Sequence, residues 1–179
     1  MRNLIHQHQI ALCGLNETKI RSAWSISVAK NLLPGWKFLF NYSKHRLGRI
    51  WVAWDPSKIT ISLISTTDQV IHARVQLLDN QLSYLASFVY GLNDDNDRLP
   101  LWENLSNFSE NVQSQPWIVI GDFNSVRFLS EKSGGNTSWT PAMDAFNKCC
   151  DSADIDDLKF VGHHLHGPTR TLLPQLSGS

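Results

Sequence analysis

Cysteine is scarce in this chain. Three occur in 179 residues, two of them adjacent at Cys149 and Cys150, and no CxxC pair is present. That excludes a disulfide framework and a cysteine-built structural zinc site. Charge is scarce as well, at 18% of residues, and it cancels, with 16 basic against 16 acidic side chains. A strongly basic nucleic-acid arm and a solvating acidic tail are therefore both excluded. Apolar runs such as Leu85–Tyr90 fall far short of bilayer thickness. The opening residues, MRNLIHQHQIALCG, lack the charged-then-apolar layout of a signal peptide. The expectation is an intracellular protein, nuclear or cytoplasmic, with no membrane span and no obligate protein partner.

What is present suits one folded domain. Hydrophobic residues make up 42% and aromatics 10%, enough for a buried core. The charge balance hides an asymmetry: residues 1–60 hold nine Lys and Arg against two Asp and Glu, and residues 61–179 hold seven against fourteen. A basic segment and an acidic segment in one domain can form a site where cations and a polyanion meet.

The hydrophobic pattern gives the element order. Ile10–Leu15 suits a buried strand. Ile20, Trp24, Val28 and Leu32 recur four apart, a helical stripe stopped by Pro34-Gly35. Strands follow at Trp36–Phe40, Arg49–Trp54, Ile59–Leu63, Val70–Leu77 and Leu82–Tyr90, with Asp79-Asn80 as a turn signal, and read as an antiparallel meander. Leu101, Leu105, Phe108 and Val112 mark a helix. Trp117–Ile120 is a short apolar run typical of a central strand buried on both faces. A Gly-rich polar loop, Lys132–Ser138, leads to Thr140-Pro141, a cap and first-position proline for a last helix with Ala142, Ala145, Phe146 and Cys149 inward. The order predicts layered sheets and helices.

Three places could carry chemistry. Asp122 directly follows the apolar strand in PWIVIGDFN, at the carboxyl end where open α/β sheets place ligands. In an extended segment Asn124 points to the same side as Asp122, although an Asx-type turn that merely ends the strand is the competing reading. Glu17 follows the first strand and could hold a hard cation, as Mg²⁺ takes one or two carboxylates plus waters, or could simply favour the helix dipole. Tyr90, with Asn93 close behind, ends a third strand, and its phenol could donate to a phosphate.

Glu after an early strand, Tyr and Asn after a middle strand and GDFN after a buried one occur here in that order. The chain resembles the endonuclease/exonuclease/phosphatase superfamily, the fold of DNase I, and most closely the endonuclease domain of plant LINE-type retrotransposons. GRIWVAWDPSKI, VYGLNDDNDRLPLWENL and PWIVIGDFNSVRFLSEKSGG carry the likeness, which runs over residues 3–165. The resemblance implies an α/β (α+β) fold, a four-layer sandwich of two mixed sheets flanked by helices. It implies DNA as partner and Glu17 as a Mg²⁺ ligand. It also implies Tyr90 and Asn93 on the scissile phosphate, Asp122 on the attacking water and Asn124 on the phosphate in the transition state. The chemistry would be metal-assisted hydrolysis of a phosphodiester.

Two pieces of the family pattern are not found. The opening strand with Trp-Asn has no match before Ile10, and no Asp-His pair closes the chain. The expectations that follow are a sandwich incomplete at its first and last strands, weak Mg²⁺ binding, and a catalytically impaired or dead remnant of an endonuclease. An active nuclease, a phosphatase of the same fold and a non-catalytic nucleic-acid binder are the alternatives. Residues 166–179 are expected to form a disordered or weakly docked tail. Codons can be chosen for His166–Thr169 that restore the family's Thr-Trp-Thr-Asn one base out of frame. His163, His164 and His166 read as part of that polar tail rather than as zinc ligands, and His6 and His8 as a solvated helix face. With strands missing, Trp36, Trp51, Trp54 and Trp117 should be at most partly shielded.

Overall fold

The computed structural model describes residues 1–112, 115–131 and 138–158, and the backbone of 169–174. A short helix α1 (Arg2–Gln7) with no buried residue precedes β1 (Leu12–Asn16) and α2 (Ser22–Leu32). His6 and His8 are exposed, as expected of a solvated segment. Then come β2 (Lys37–Phe40), β3 (Ile50–Trp54), β4 (Ile59–Thr66), β5 (Val70–Leu77) and β6 (Ser83–Tyr90). The chain continues with α3 (Leu99–Glu110), β7 (Trp117–Asp122), α4 (Pro141–Ser152), β8 (Ile155–Asp157) and β9 (Thr169–Pro174). One sheet has the order β1-β3-β2 and the other β4-β5-β6-β7-β9-β8. The first is antiparallel throughout; the second is mixed, because β6 and β7 run parallel.

Two apolar layers hold this together. Between the sheets, Ile50, Val52 and Trp54 of β3 face Ile71 and Val75 of β5 and Ala86 and Phe88 of β6. Behind the larger sheet, Leu101, Trp102 and Leu105 of α3 pack with Phe146 and Cys149 of α4 on Trp117 and Val119. Alternation along the strands sends neighbouring side chains to these two layers. The meander read from the sequence is divided between the sheets. A turn at Asp55–Lys58, where the Asp55 carboxylate accepts from the backbone N–H and hydroxyl of Ser57, moves the chain from β3 into the larger sheet. The Asp79-Asn80 turn forms as expected, with Leu82 N–H donating to Asn80 Oδ1 at 3.0 Å. Thr140 caps α4 by accepting from Met143 N–H.

Four sequence-based expectations need correction. Trp51, Trp54 and Trp117 are buried rather than partly shielded, because each faces a covered side of its sheet. In α2 the inward residues are Ser25 and Ala29, with Trp24 65% exposed. Small side chains thus line the buried side of this helix, and the bulky residue is turned outward. The burial of β7 alternates: Trp117 and Val119 are buried while Ile118 and Ile120 are half-buried, since three strands cover one face only in part. Lastly, residues 169–174, part of the segment expected to be disordered or weakly docked, are a paired strand. They form β9, hydrogen-bonded between β7 and β8. The side-chain period gives no sign of this strand, yet the backbone of β7 has an edge to be paired. His163, His164 and His166, and the loop at 132–137, lie outside the described residues.

A buried polar chain crosses the larger sheet. Trp117 Nε1–H donates to Ser87 Oγ at 2.7 Å, and Ser87 lies 2.6 Å from His72 Nδ1. His72 Nε2 is 2.7 Å from Asn104 Oδ1, an acceptor, so Nε2 carries the proton and Nδ1 accepts from the Ser87 hydroxyl. Burial lowers the His72 pKa from 6.5 to about 4, partly countered by Asn104. The folded imidazole thus resists a proton that the unfolded one takes up below 6.5. Stability contributed by this group is complete above pH 6.5 and declines as pH falls toward 4, by up to about 3 kcal/mol. Urea unfolding at pH 7 and pH 4.5 should show this decline in the wild type and a smaller one in His72→Gln. Equal declines in both proteins would refute it.

Candidate active site

Three strand ends meet in one place, beside a cleft. The parallel register sets Tyr90 directly beside Asp122. The end of β1 is fastened to β6, since Asn16 Nδ2 donates to Val89 O at 2.9 Å. Glu17 follows Asn16 with φ 52°, a left-handed turn that aims its side chain at Tyr90. Tyr90 Oη donates to Glu17 Oε1 at 2.6 Å. A cleft of about 520 Å³ is lined by Glu17, Lys19, Arg49, Tyr90, Asn93 and Asp97, among others.

Asp122 and Asn124 are neighbours for a different reason than extended alternation. Asn124 has φ 46°, and its backbone N–H donates to Asp122 Oδ1 at 2.9 Å. This is the Asx-type turn, the competing reading of GDFN, and it is the turn that brings the two residues together. The Asn124 amide nitrogen then donates to Gly91 O at 2.6 Å and to Asn93 Oδ1 at 3.1 Å. All five residues singled out from the sequence therefore belong to one neighbourhood. Glu17 and Tyr90 form one bonded pair, and Asp122, Asn124 and Asn93 form a bonded chain.

The charges follow from the geometry. The Tyr90 hydrogen bond, helped by Lys19 3.7 Å away, holds the exposed Glu17 carboxyl below the usual carboxylate range. Burial and the Glu17 carboxylate push the Tyr90 phenol up to about 12. Burial raises Asp122, with Glu17 adding to the effect and the Asn124 N–H and Arg98 opposing it. A half-buried carboxylate with a raised pKa is a better proton acceptor than a free one.

Sequence reasoning missed several contributors. The Arg49 guanidinium lies 5.5 Å from the Tyr90 ring centroid. Lys19 and Arg49 belong to the basic first third whose charge asymmetry was the available signal. Gln69 and Arg98, both buried, hold the loop that carries Asn93. Nothing in their spacing marks them.

The donor set of the cleft limits how a divalent cation could be held there. Among the described residues, no group of three or more His, Cys, Asp or Glu comes together. A cage made only of protein ligands is therefore not what this cleft offers. An exposed, readily ionised Glu17 near a second carboxylate does fit a cation that keeps most of its waters, which is the habit of Mg²⁺. Among the described residues, no helix is long and apolar enough to cross a membrane.

Comparison with known proteins gives the fold a relative. No protein-family profile matches the chain, and no curated protein does. Solved structures do. The endonuclease domain of TRAS1, a telomere-specific non-LTR retrotransposon, matches with TM-score 0.65 at 10% identity, over 97% of this chain and 77% of that one. An endonuclease/exonuclease/phosphatase family protein from Bacteroides thetaiotaomicron matches with TM-score 0.64 at 12% identity, over 96% and 70%. TDP2 of D. rerio, complexed with a single-strand DNA product, matches with TM-score 0.58 at 14% identity, over 98% and 75%. At these identities the likeness establishes the fold: two β-sheets flanked by helices, the DNase I-like arrangement.

Replacing Tyr90 by Phe removes the largest influence that lowers the Glu17 pKa. Carbonyl-carbon NMR titration should find the Glu17 midpoint higher in Tyr90→Phe than in the wild type. An unmoved midpoint would mean that the phenol does not bond this carboxylate in solution.

Proposed function

We propose that this chain is a catalytically impaired remnant of a Mg²⁺-dependent, phosphodiester-hydrolysing endonuclease of a LINE-type retroelement, acting on DNA. The observation that supports the reading is the gathering of five residues: Glu17, Tyr90 and Asn93 line one cleft, and Asp122 and Asn124 lie beside it, joined to Tyr90 by strand pairing and to Asn93 by a hydrogen bond. The fold shared with the retrotransposon endonuclease domain supports it.

In this reading Glu17 would hold the cation, and bound Mg²⁺ would supply charge stabilisation at the phosphate. Tyr90 fixes the Glu17 carboxylate through its hydroxyl hydrogen and borders the phosphate with its oxygen. Asp122, with its raised pKa, orients the attacking water and takes its proton. Asn93 and Asn124 flank the phosphate. Lys19 and Arg49 draw the polyanion into the cleft.

Impairment has its own basis. Among the described residues, the cleft lining holds no histidine to serve as a second acid or base. Loss of one general acid or base typically lowers a rate by about 10²–10⁴. Both hydrogens of the Asn124 amide are also directed at protein acceptors, which leaves none for a developing negative charge.

Nicking of supercoiled plasmid tests this directly. The wild type should nick slowly, only with Mg²⁺, and Asp122→Ala should lower the rate a further ~10²-fold or more. Plasmid binding without Mg²⁺-dependent nicking would favour the non-catalytic binder. Faster release of phosphate from a small monoester than nicking of plasmid would favour a phosphatase.

A further inference from the structure

The loop from Leu92 to Asp97 carries Asn93 into the cleft and is polar throughout except for its first residue. Such a segment would ordinarily be held by water and be free to move. Here two fully enclosed polar side chains grip it. Gln69, 2% exposed, accepts from Leu92 N–H through Oε1 at 2.9 Å and donates from Nε2 to Asp97 O at 2.9 Å. It thereby closes both ends of the loop with one side chain. Arg98, 4% exposed, donates from Nη1 to Leu92 O at 2.7 Å and to Asn93 O at 2.9 Å, and from Nη2 to the Asp95 carboxylate. A buried guanidinium and a buried carboxamide are costly unless their hydrogen bonds are made. The loop supplies the partners, so its shape and the burial of these two residues depend on each other.

We infer that Gln69 and Arg98 are positioning residues, which fix the 92–97 loop so that Asn93 Oδ1 stays against the Asn124 amide at the wall of the cleft. Gln69 acts from outside the loop, ahead of β5, where its carbonyl also accepts from Tyr90 N–H at 2.9 Å. It therefore ties the loop to the strand that delivers Tyr90. Arg98 acts from the start of α3 and reaches the carbonyl of Asn93 itself. Two anchors of different chemistry converge on the loop that carries Asn93: Gln69 holds Leu92 and Asp97, and Arg98 holds Leu92, Asn93 and Asp95. Neither lines the cleft; apart from the pull of the Arg98 charge on Asp122 and the backbone bond of Gln69 to Tyr90, their influence passes through Asn93 and Asn124. The catalytic consequence rests on the hydrolase reading, whereas the geometry does not.

The test uses full-length ¹⁵N-labelled protein carrying Arg98→Lys, which keeps the charge but loses the fork, or Gln69→Leu, which removes both loop bonds. The side-chain NH₂ resonances of Asn124 report its bonds to Gly91 and Asn93. They should move in both variants and stay in place in Leu105→Ala, a core substitution that lowers the melting temperature without touching the loop. If Gln69→Leu does not fold, Arg98→Lys decides the matter alone. Unmoved Asn124 resonances in a folded Arg98→Lys protein would overturn the inference, as would equal movement in Leu105→Ala. Where wild-type nicking is measurable, kcat should drop about 10–100-fold at unchanged KM, the effect of misplacing a group near the reacting atoms. Moved resonances together with a wild type that nicks nothing would uphold the positioning role and reject the hydrolase reading.

Discussion

The parallel pairing of β6 with β7 is the constraint on which the cleft depends. At Gly121 the two backbones come so close that a Cβ would lie 1.9 Å from Val89 O, and φ is +149°. A side chain at this position would force the strands apart or out of register. With glycine there, Tyr90 and Asp122 fall side by side, and the chain can turn at once into Phe123 and Asn124. Phe123 is buried among Trp102 and Phe146, so the turn is anchored by an aromatic cluster just beyond the acid. The position of the site is thus a product of backbone approach and core packing together.

Buried polar groups then connect the layers. Asn41, fully enclosed, accepts from Ile50 N–H at 3.0 Å in one sheet and donates to Asp68 O at 3.1 Å beside the other. Its neighbour in space, Gln69, continues the line to the loop bearing Asn93. Each such group is satisfied by a particular partner, and apolar contacts alone would not specify the partner. The two apolar layers supply the bulk of the cohesion, and the polar contacts set the relative placement of the loops.

Much of this was readable in the residues. The short apolar run ending in Gly-Asp-Phe-Asn announces β7 and its acid, because a chemically distinct residue directly after a buried strand leaves few places to be. Thr140-Pro141 announces α4 through capping chemistry. Other features had no local signal. The buried side of α2 is one, because helical spacing does not distinguish a Trp pointing outward from a Ser and Ala packed inward. β9 escaped notice because its strand character comes from the neighbours it pairs with. The Glu17–Tyr90 bond spans 73 residues, and only the likeness to a known family suggested that the two would be close.

Glu17 follows a strand of the three-stranded sheet, and Asp122 ends a strand of the six-stranded one. A solute that engages both, or that engages Glu17 and the Asn93 loop, has no complete counterpart in a chain whose sheets have separated. By mass action such a solute stabilises the docked sheets by RT ln(1 + [L]/Kd), which is about 2.7 kcal/mol at a hundredfold excess over Kd. The cleft is therefore also a seam, and occupancy and cohesion of the sandwich are two readings of a single equilibrium.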